Sequence, residues 1–412
     1  MRVLVVGGGV VGLCVSYFLR RAGFDVVVVD RGRCGEGASL GNAGWITRFH
    51  GPLPAPGVVG QALRWTVRGK GPLRIHPRLD PALIGWLWRF LRSSRNGSYP
   101  ARLQALVALN GSTFELYDRL RADGVGFPQP TQGTLFAYLT RSEFEHQLEE
   151  LAHLRAAGYD DPVEILDGDA ARDLEPALSR DVEAGLFIAE DRCIRPELVT
   201  AALAAWLKAD GVEVREDTEV RRLRRAAGSW AIETANGGLT ADAVVVAAGV
   251  ASRTLVAPLG VRLPLEPGKG YSLVVTGTGS APRRAVGLME AKVPYTPFGD
   301  SARLTGFLEL GAVDARVPPA RLDAIVRGAV PYFRDWRPQQ RLHTWAGFRP
   351  LSSDGLPFIG RVPRNDGLYV AAGHGTLGLT LAPATGEALA GLVAGDADSE
   401  QLLEPFRLER RI

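Results

Sequence analysis

Two glycine loops with the same spacing, G-x-G-x-x-G, stand near opposite ends of this 412-residue chain. The first is GGGVVG at Gly7–Gly12 and the second is GHGTLG at Gly373–Gly378. Loops of this spacing bind the phosphates of dinucleotides when they join a β-strand to the N-terminus of an α-helix. The chain therefore binds either two dinucleotides, one at each loop, or a single long ligand that both loops contact.

The first loop has the complete surroundings of a dinucleotide site. An apolar run at 2–6 precedes it, a helical pattern follows in VVGLCVSYFLRRAG, and a second apolar run, FDVVVV, leads to Asp30. Gly7 permits the tight turn, Gly9 lets the backbone approach a pyrophosphate, and Gly12 lets helix and strand pack closely. A carboxylate at Asp30 can accept hydrogen bonds from both ribose hydroxyls and would repel a 2′-phosphate. We therefore predict a dinucleotide other than NADP at this loop.

The second loop lacks the last part of such a unit. A predicted strand, DGLYVAAG, precedes His374 and a helical pattern, LTLAPATGEALAGLVAG, follows it, but no apolar strand ending in an acid comes next. A strand, a glycine turn and a helix N-terminus still present N–H groups and a partial positive charge. In a flavoprotein the matching group is the N1–C2=O edge of the flavin, which gains negative charge on reduction. We predict one ligand, FAD, with its pyrophosphate at the first loop and its isoalloxazine at the second.

The chain is long enough to predict an α/β protein of two domains. We assign residues 1–50, 190–255 and 345–412 to a Rossmann-type nucleotide domain. Residues 51–189 and 256–344 are assigned to a substrate domain that is inserted twice into the first. Segments such as GTLFAYLT, EAGLFIAE, YSLVVTG, ARLTGFLEL and RLHTWAGFRP predict a mixed or antiparallel sheet in that second domain.

Composition excludes several classes of function. The net charge is +3, and the one dense basic run, RRLRR at Arg221–Arg225, is typical of a solvated strand end, so no nucleic-acid partner is predicted. The three Cys and six His have no spacing typical of a metal site. Every apolar run is shorter than the ~18 residues that a membrane-spanning helix needs. We predict a cytoplasmic protein, although LDPALIGWLWRFLRSS is typical both of a buried helix and of one that touches the inner membrane face.

Five segments follow one another along the chain in a specific order. They are VVGGGVVGLCVSYFLRRAGFDVVVVD, GASLGNAGWI with PLPAPG after it, GKGYSLVVTG, AGFRPLSSDGLPFIGR and GLYVAAGHGTLGLT. Over essentially its whole length the chain thereby resembles the FAD-dependent D-amino-acid dehydrogenases, within the wider family of D-amino-acid oxidase, glycine oxidase and sarcosine oxidase. The resemblance implies a glutathione-reductase-like FAD domain with an inserted substrate domain. It also implies non-covalent FAD, because the positions at which some relatives tether flavin carry neither Cys nor His here.

The resemblance further implies the chemistry. An amino acid is oxidised at its Cα–N bond to an imine, which water hydrolyses to a 2-oxo acid, and hydride passes from Cα to flavin N5. The electron acceptor is a quinone in dehydrogenases and O2 in oxidases. Three other functions stay open: oxidation of a secondary amine such as sarcosine, proline or hydroxyproline, an NADPH-dependent flavin hydroxylase, and a non-catalytic flavin-carrying subunit. The Gly373–His374 pair argues against the hydroxylase, and Arg349 argues against the carrier.

Three residues are candidates for the catalytic, substrate side of the site. Arg349, in GFRP, matches the family's carboxylate-binding Arg, since a guanidinium can bind a carboxylate with two hydrogen bonds; the alternative is a structural ion pair with Asp354. Tyr271, in GKGYS, is either a substrate contact or a core residue. His374 contributes its side chain or only its backbone. Lys269, which shares the strand face of Tyr271, either lies near the flavin, where it would favour reaction with O2, or lies on the surface.

The residues predicted to contact FAD belong to the glycine loops, to the segment after the second strand, or to the turn after VVVAAG. They are Gly7, Gly9, Val10, Val11, Gly12, Asp30, Arg31, Ser39, Asn42, Ala43, Gly44, Ala248, Gly249, Gly373, His374, Gly375, Thr376, Leu377 and Gly378, together with Val220, which matches the position whose backbone meets adenine. Ser39 also completes a G-x-S-x-G pattern. That pattern requires a strand directly before the Ser, and the polar RGRCGE does not predict one, so a hydrolase is not expected.

Overall fold

The computed structural model describes residues 1–57, 71–95, 97–226, 228–277 and 279–410. In chain order its strands are β1 (Arg2–Val6), β2 (Asp25–Val29), β3 (Trp45–Ile46), β4 (Leu73–Ile75), β5 (Thr134–Tyr138), β6 (Glu164–Asp167), β7 (Ala184–Ile188), β8 (Arg192–Cys193), β9 (Glu213–Arg215), β10 (Val220–Ala226), β11 (Ser229–Thr234), β12 (Gly237–Ala241), β13 (Ala243–Val246), β14 (Leu265–Thr276), β15 (Ala285–Leu288), β16 (Val293–Phe298), β17 (Ser301–Leu310), β18 (Gln340–Ser352), β19 (Phe358–Arg361) and β20 (Leu368–Ala372). Its α-helices are α1 (Val10–Arg21), α2 (Pro81–Arg95), α3 (Tyr99–Asn110), α4 (Thr113–Ala122), α5 (Arg141–Ala156), α6 (Gly168–Leu174), α7 (Pro196–Ala209), α8 (Ser252–Val256), α9 (Pro319–Ala329), α10 (Gly378–Ala394) and α11 (Ala397–Leu403).

The first sheet has six strands in the order β19-β20-β13-β1-β2-β9, all parallel except β19. Its central strands are runs of Val that are buried on both faces, as expected of a covered parallel sheet. On one face Val3 and Val5 pack against α1, α7 and α10, and on the other Leu4 and Val6 pack against the three-stranded sheet β10-β11-β12. This layered α/β arrangement is the predicted nucleotide-binding fold.

Helices α1 and α10, which follow the two glycine loops, pack directly against each other. A side chain at Gly386 of α10 would come within 2.8 Å of the backbone of Cys14 in α1, so only glycine allows this approach. Since β1, β13 and β20 are parallel neighbours, the turns that follow them lie at one edge of the sheet. The two glycine loops, far apart in sequence, therefore share one edge.

The second sheet has nine strands. Eight follow the order β18-β14-β17-β16-β15-β5-β7-β6, and β4 pairs with β17. Most neighbours are antiparallel, but β15 pairs with β5 and β17 with β4 in parallel, so the predicted sheet is mixed. Helix α9 covers one face, where Leu322 and Ile325 pack against Tyr271 and Leu273.

The boundary predicted at residue 345 falls inside a strand. β18 pairs with β14 along its whole length, from Gln340 to Ser352, so it belongs to the nine-stranded sheet. The sequence-based boundary was placed too early because the motif GFRP, in the second half of β18, lies only a few residues before β19 of the first sheet. We propose that the nucleotide domain resumes between Ser352 and Phe358, with the other predicted boundaries kept.

Helix α2 forms where the amphipathic pattern predicts it. Leu83 and Trp86 face inward and are buried, whereas Ile84 and Trp88 are exposed. No helix in the described part of the chain is long and apolar enough to span a membrane.

Candidate active site

Three turns meet at the carboxyl edge of the parallel strands. They follow β1 at Gly7, β13 at Ala247 and β20 at Gly373. Gly7 has φ +116°, and a Cβ there would lie 2.5 Å from the Ala247 carbonyl oxygen, which only glycine tolerates. Ala248 and Gly249, both predicted to contact FAD, continue the middle turn. The edge thus offers one continuous row of backbone rather than two separate sites.

The helices α1 and α10 both start at this edge, and neither is capped by the side chain of its own N-cap residue. The N-cap residues are Gly9 and Leu377, and neither helix has an acidic residue in its first turn. The Val10 N–H donates to the Ser39 hydroxyl over 3.1 Å. Exposed helix N-termini carry N–H donors and a partial positive charge, so they fit a pyrophosphate at one end of a ligand and an electron-rich ring edge at the other.

Asp30, which follows β2, is held in a fixed orientation. Its Oδ2 accepts from the Gly8 N–H at 2.6 Å and its Oδ1 accepts from the Gly32 N–H at 2.9 Å. Each carboxylate oxygen has a second lone pair, so the side chain can still accept from ribose hydroxyls. Arg31 beside it is exposed. Val220 starts β10 opposite Thr234, and its backbone contact with adenine stays a prediction.

The segment Ser39–Gly44 is held against the second sheet by side chains that sequence reasoning missed. Arg303 of β17 is buried; its Nη1 donates to the Asn42 carbonyl at 3.1 Å and its Nη2 pairs with Glu197 at 3.1 Å. Thr296 donates its hydroxyl to the Ala43 carbonyl at 2.8 Å. No local pattern marks these residues, because their partners lie more than 100 positions away. They connect the Ser39–Gly44 segment to the nine-stranded sheet.

Arg349 extends from β18 across the face of the second sheet. Its Nη1 donates to the Phe307 carbonyl at 2.9 Å, and the guanidinium covers Gly270 of β14, where a Cβ would overlap it. Burial lowers the pKa of Arg349 to about 10, which leaves it charged at neutral pH. The alternative of an ion pair with Asp354 is wrong, because that carboxylate pairs with Arg410 at 2.7 Å.

Tyr271 lies on the opposite face of β14. Its hydroxyl donates to Glu309 at 3.1 Å, and its ring is buried under helix α9. Burial and the Glu309 carboxylate both raise the pKa of Tyr271. Lys269 shares this face, is buried, and pairs with Asp314 at 3.2 Å. The structure therefore does not bring Tyr271 together with Arg349. Of the two alternatives for Tyr271, a substrate contact and a core residue, its position favours the core residue.

His374 points into the protein rather than along the edge. Its Nε2 lies 3.0 Å from the Thr385 hydroxyl of α10, and burial lowers its pKa to about 3, so the ring is neutral. The backbone of the same loop pairs with β18, since the Gly375 N–H donates to the Pro350 carbonyl at 2.9 Å. The second glycine loop is therefore joined to the strand directly after Arg349.

A small apolar pocket with a cavity volume of about 40 Å³ opens between this loop and helix α2. One side is the backbone of 373–377. Its apolar lining consists mainly of Leu53, Leu73, Trp86, Phe90, Leu308 and Leu351. No local sequence pattern marks this pocket, since its walls come from six separate segments.

One row of backbone turns for a dinucleotide on a parallel sheet, joined to a mixed sheet that presents the half-buried Arg349, is typical of two-domain FAD-dependent oxidoreductases. The chain belongs to the DAO family, FAD dependent oxidoreductase, whose family model matches residues 2–392. The predicted family and cofactor are thereby confirmed.

Individual relatives agree with this assignment. The D-amino acid dehydrogenase of Cereibacter sphaeroides is 37% identical over 406 residues, covering 96% of this chain and 92% of that protein. Glycine oxidase from Geobacillus kaustophilus has a TM-score of 0.74 at 24% identity, covering 100% of this chain and 99% of that one. L-alpha-Glycerophosphate oxidase from Mycoplasma pneumoniae, with FAD bound, has a TM-score of 0.72 at 20% identity, covering 95% and 94%. At these sequence identities the two solved structures support the fold alone.

Proposed function

We propose that this protein oxidises D-amino acids as an FAD-dependent dehydrogenase. One observation carries the proposal: the Arg349 guanidinium is charged and half-buried, and no carboxylate of the described residues neutralises it. A half-buried cation of this kind suits an anionic ligand group, and a substrate carboxylate supplies one. The D-configuration is inferred from the relatives that carry the name D-amino acid dehydrogenase.

We propose that the residues predicted from the sequence to contact FAD do so. The FAD would be bound non-covalently along the row of turns from Gly7 to Gly378. FAD, when bound, supplies a two-electron acceptor for oxidation of the Cα–N bond to an imine, which water hydrolyses to the 2-oxo acid and ammonia. Arg349 binds the substrate carboxylate, and the Phe307 carbonyl fixes the plane of its guanidinium. His374 acts through its backbone, since its neutral ring is bonded to Thr385. Fixing the substrate in this way supplies much of the rate.

We propose a quinone or a similar carrier as the electron acceptor. Fast reaction of a reduced flavin with O2 is promoted by a positive charge close to the ring. Lys269, the candidate for such a charge, lies on the far face of β14 and is paired with Asp314. Lys292, a further lysine of the second sheet's domain, pairs with Glu143 at 2.6 Å. Both cations are already neutralised by ion pairs of their own.

We further propose that the outer face of α2 touches an anionic membrane surface. Ile84 and Trp88 are 54% and 58% exposed, and the helix carries three arginines and no acidic residue. Exposed apolar side chains on a helix that also carries arginines are typical of helices that lie in a membrane interface. Phosphatidylglycerol vesicles should sediment the wild-type protein and phosphatidylcholine vesicles should not. If a Trp88→Ser variant sediments with phosphatidylglycerol vesicles as well as the wild type does, the outer face of α2 is not the membrane contact.

The test of the proposed function is the pair of variants Arg349→Ala and Arg349→Lys. Alanine should cost about 3–5 kcal/mol in kcat/KM for a D-amino acid, because the substrate carboxylate loses its charged partner. Lysine should also be poor, since a point charge does not reproduce two parallel hydrogen bonds. FAD content should stay at the wild-type level in both. If FAD is lost in proportion to activity, Arg349 is structural and the proposal fails.

A further inference from the structure

Helix α10 begins at the second glycine loop and contains a proline in its second turn. Pro383 stands four residues after Leu379, and a proline has no N–H to donate to the carbonyl four positions earlier. The Leu379 carbonyl therefore lacks the donor that the helix would otherwise supply. Both residues are buried, and a buried carbonyl without a donor is costly.

A tyrosine of helix α4 supplies the donor. The Tyr117 hydroxyl donates to the Leu379 carbonyl at 2.7 Å, and the tyrosine side chain is fully buried. Burial raises the pKa of Tyr117 well above its usual range, so the hydroxyl keeps its proton at neutral pH. The bond joins residues 262 positions apart in the chain, so no local sequence pattern marks it.

The next residue of α10 is held by a different element. The Thr380 hydroxyl donates to the Trp45 carbonyl of β3 at 3.3 Å and accepts from the Thr47 N–H at 3.4 Å. Trp45 in turn donates its Nε1 to the Thr296 hydroxyl of the second sheet at 2.8 Å. The first turn of α10 is thus fixed at two consecutive residues, by Tyr117 of α4 and by the segment around β3.

We infer that Tyr117 is a positioning residue for the flavin end of the FAD site, and that it acts through the first turn of α10. The inference rests on the proposed placement of the isoalloxazine at the second glycine loop. A helix N-terminus favours negative charge only close to its first turn, and the N1–C2=O edge gains negative charge on reduction. Loss of the Tyr117 hydroxyl should therefore weaken binding of reduced flavin more than binding of oxidised flavin.

Tyr117→Phe, which keeps the ring and removes the donor, tests the inference on the FAD-loaded protein. We expect the affinity for reduced FAD to fall about 5-fold relative to oxidised FAD, which for a two-electron couple lowers the midpoint potential by about 20 mV. Dithionite titration against a redox dye measures this potential. Tyr332→Phe is the matched control, because Tyr332 is also fully buried and its hydroxyl accepts from the Glu290 N–H in the other domain at 2.8 Å. An unchanged potential in Tyr117→Phe, or an equal shift in Tyr332→Phe, would overturn the inference.

A second substitution separates positioning from a general loss of packing. Pro383→Ala gives residue 383 an N–H that can donate to the Leu379 carbonyl in place of Tyr117. In this background Tyr117→Phe should shift the potential by less than half as much as in the wild-type protein. An equal shift in both backgrounds would overturn the inference, because the hydroxyl would then act by another route. The titration uses no substrate, so if the potential shifts as expected and no D-amino acid reduces the flavin, the proposed function fails and the role of Tyr117 stands.

Discussion

The guanidinium of Arg349 occupies the space that a side chain at Gly270 would need on the neighbouring strand. Glycine is required here for room rather than for backbone freedom, since Gly270 does not have a positive φ. The Phe307 carbonyl then holds the guanidinium from the other side. The position of the proposed substrate anchor is therefore set by two neighbouring strands rather than by β18 alone.

Gly270→Ala should displace the guanidinium while leaving its charge in place. Because misplacement of a binding group by about 1 Å can cost 100-fold in rate, we expect kcat/KM to fall by on the order of 100-fold at unchanged FAD content. Gly238→Ala is the matched control, since Gly238 is also a strand glycine and a Cβ there meets nothing within 4 Å. Wild-type kinetics in Gly270→Ala would show that Arg349 does not need this position.

Arg303→Gln should weaken FAD binding. The change removes the charged donor that holds the Asn42 carbonyl and leaves Glu197 without its partner. Hydrogen bonds to charged groups contribute about 1.5–3 kcal/mol, so the Kd for FAD should rise by roughly 10-fold or more. Flavin fluorescence titration of the apoprotein measures this. Arg341→Gln, which breaks an exposed ion pair between β18 of the same sheet and Asp323 of α9, should leave the Kd unchanged. Equal shifts in both variants would contradict a specific role for Arg303.

His374 should make the protein less stable in acid. Its pKa is about 3 in the folded protein and about 6.5 in the unfolded chain, so only the unfolded chain takes up this proton between those values. Stability therefore falls as pH drops below about 6.5, by about 2 kcal/mol between pH 7 and 5 from this residue. When the free energy of unfolding is measured with denaturant at pH 7 and pH 5, His374→Gln should lose about 2 kcal/mol less than the wild type. His153→Gln, an exposed helical position, should keep the full loss. If the free energy of unfolding of the wild type and of His374→Gln changed equally with pH, the prediction would be contradicted.

The first glycine loop and its ligand class could be predicted from sequence because all the residues that define them are local. Gly7, Gly9, Gly12 and Asp30 lie within one β-α-β unit, and each has one physical task. Tyr271 could not be placed, because its direction depends on strand register, and a shift of one residue reverses the face. Arg303 was missed for a related reason, since its partners at Asn42 and Glu197 come close only after the two sheets assemble.

The same limit applies to ion pairs between distant residues. Asp354 is only five positions from Arg349 in sequence, yet its carboxylate forms an ion pair with Arg410, which is 56 positions away. The walls of the apolar pocket also come from segments whose contact depends on how α2 lies over the second glycine loop. Local motifs therefore identified the cofactor and pointed to Arg349 as the proposed anchor, while the pocket and the supporting ion pairs required the assembled fold.

Reoxidation of the flavin should distinguish a dehydrogenase from an oxidase. Because Lys269 is buried on the far face of β14 and paired with Asp314, we expect slow reoxidation by air-saturated buffer and fast reoxidation by a quinone analogue. Stopped-flow mixing of the substrate-reduced protein with each acceptor gives both rates on one preparation. If O2 reoxidises the flavin as fast as substrate reduces it, the acceptor assignment is wrong, while the substrate and cofactor assignments stand.

The most direct test of the central claim is anaerobic flavin reduction by the two enantiomers of one amino acid. The account predicts that D-leucine bleaches the bound flavin with one equivalent of substrate per FAD, that L-leucine does not, and that Arg349→Ala retains FAD but loses the reaction. Bleaching by L-leucine or by an N-methyl amino acid in place of the D-enantiomer, or reduction that is unchanged in Arg349→Ala, would contradict it.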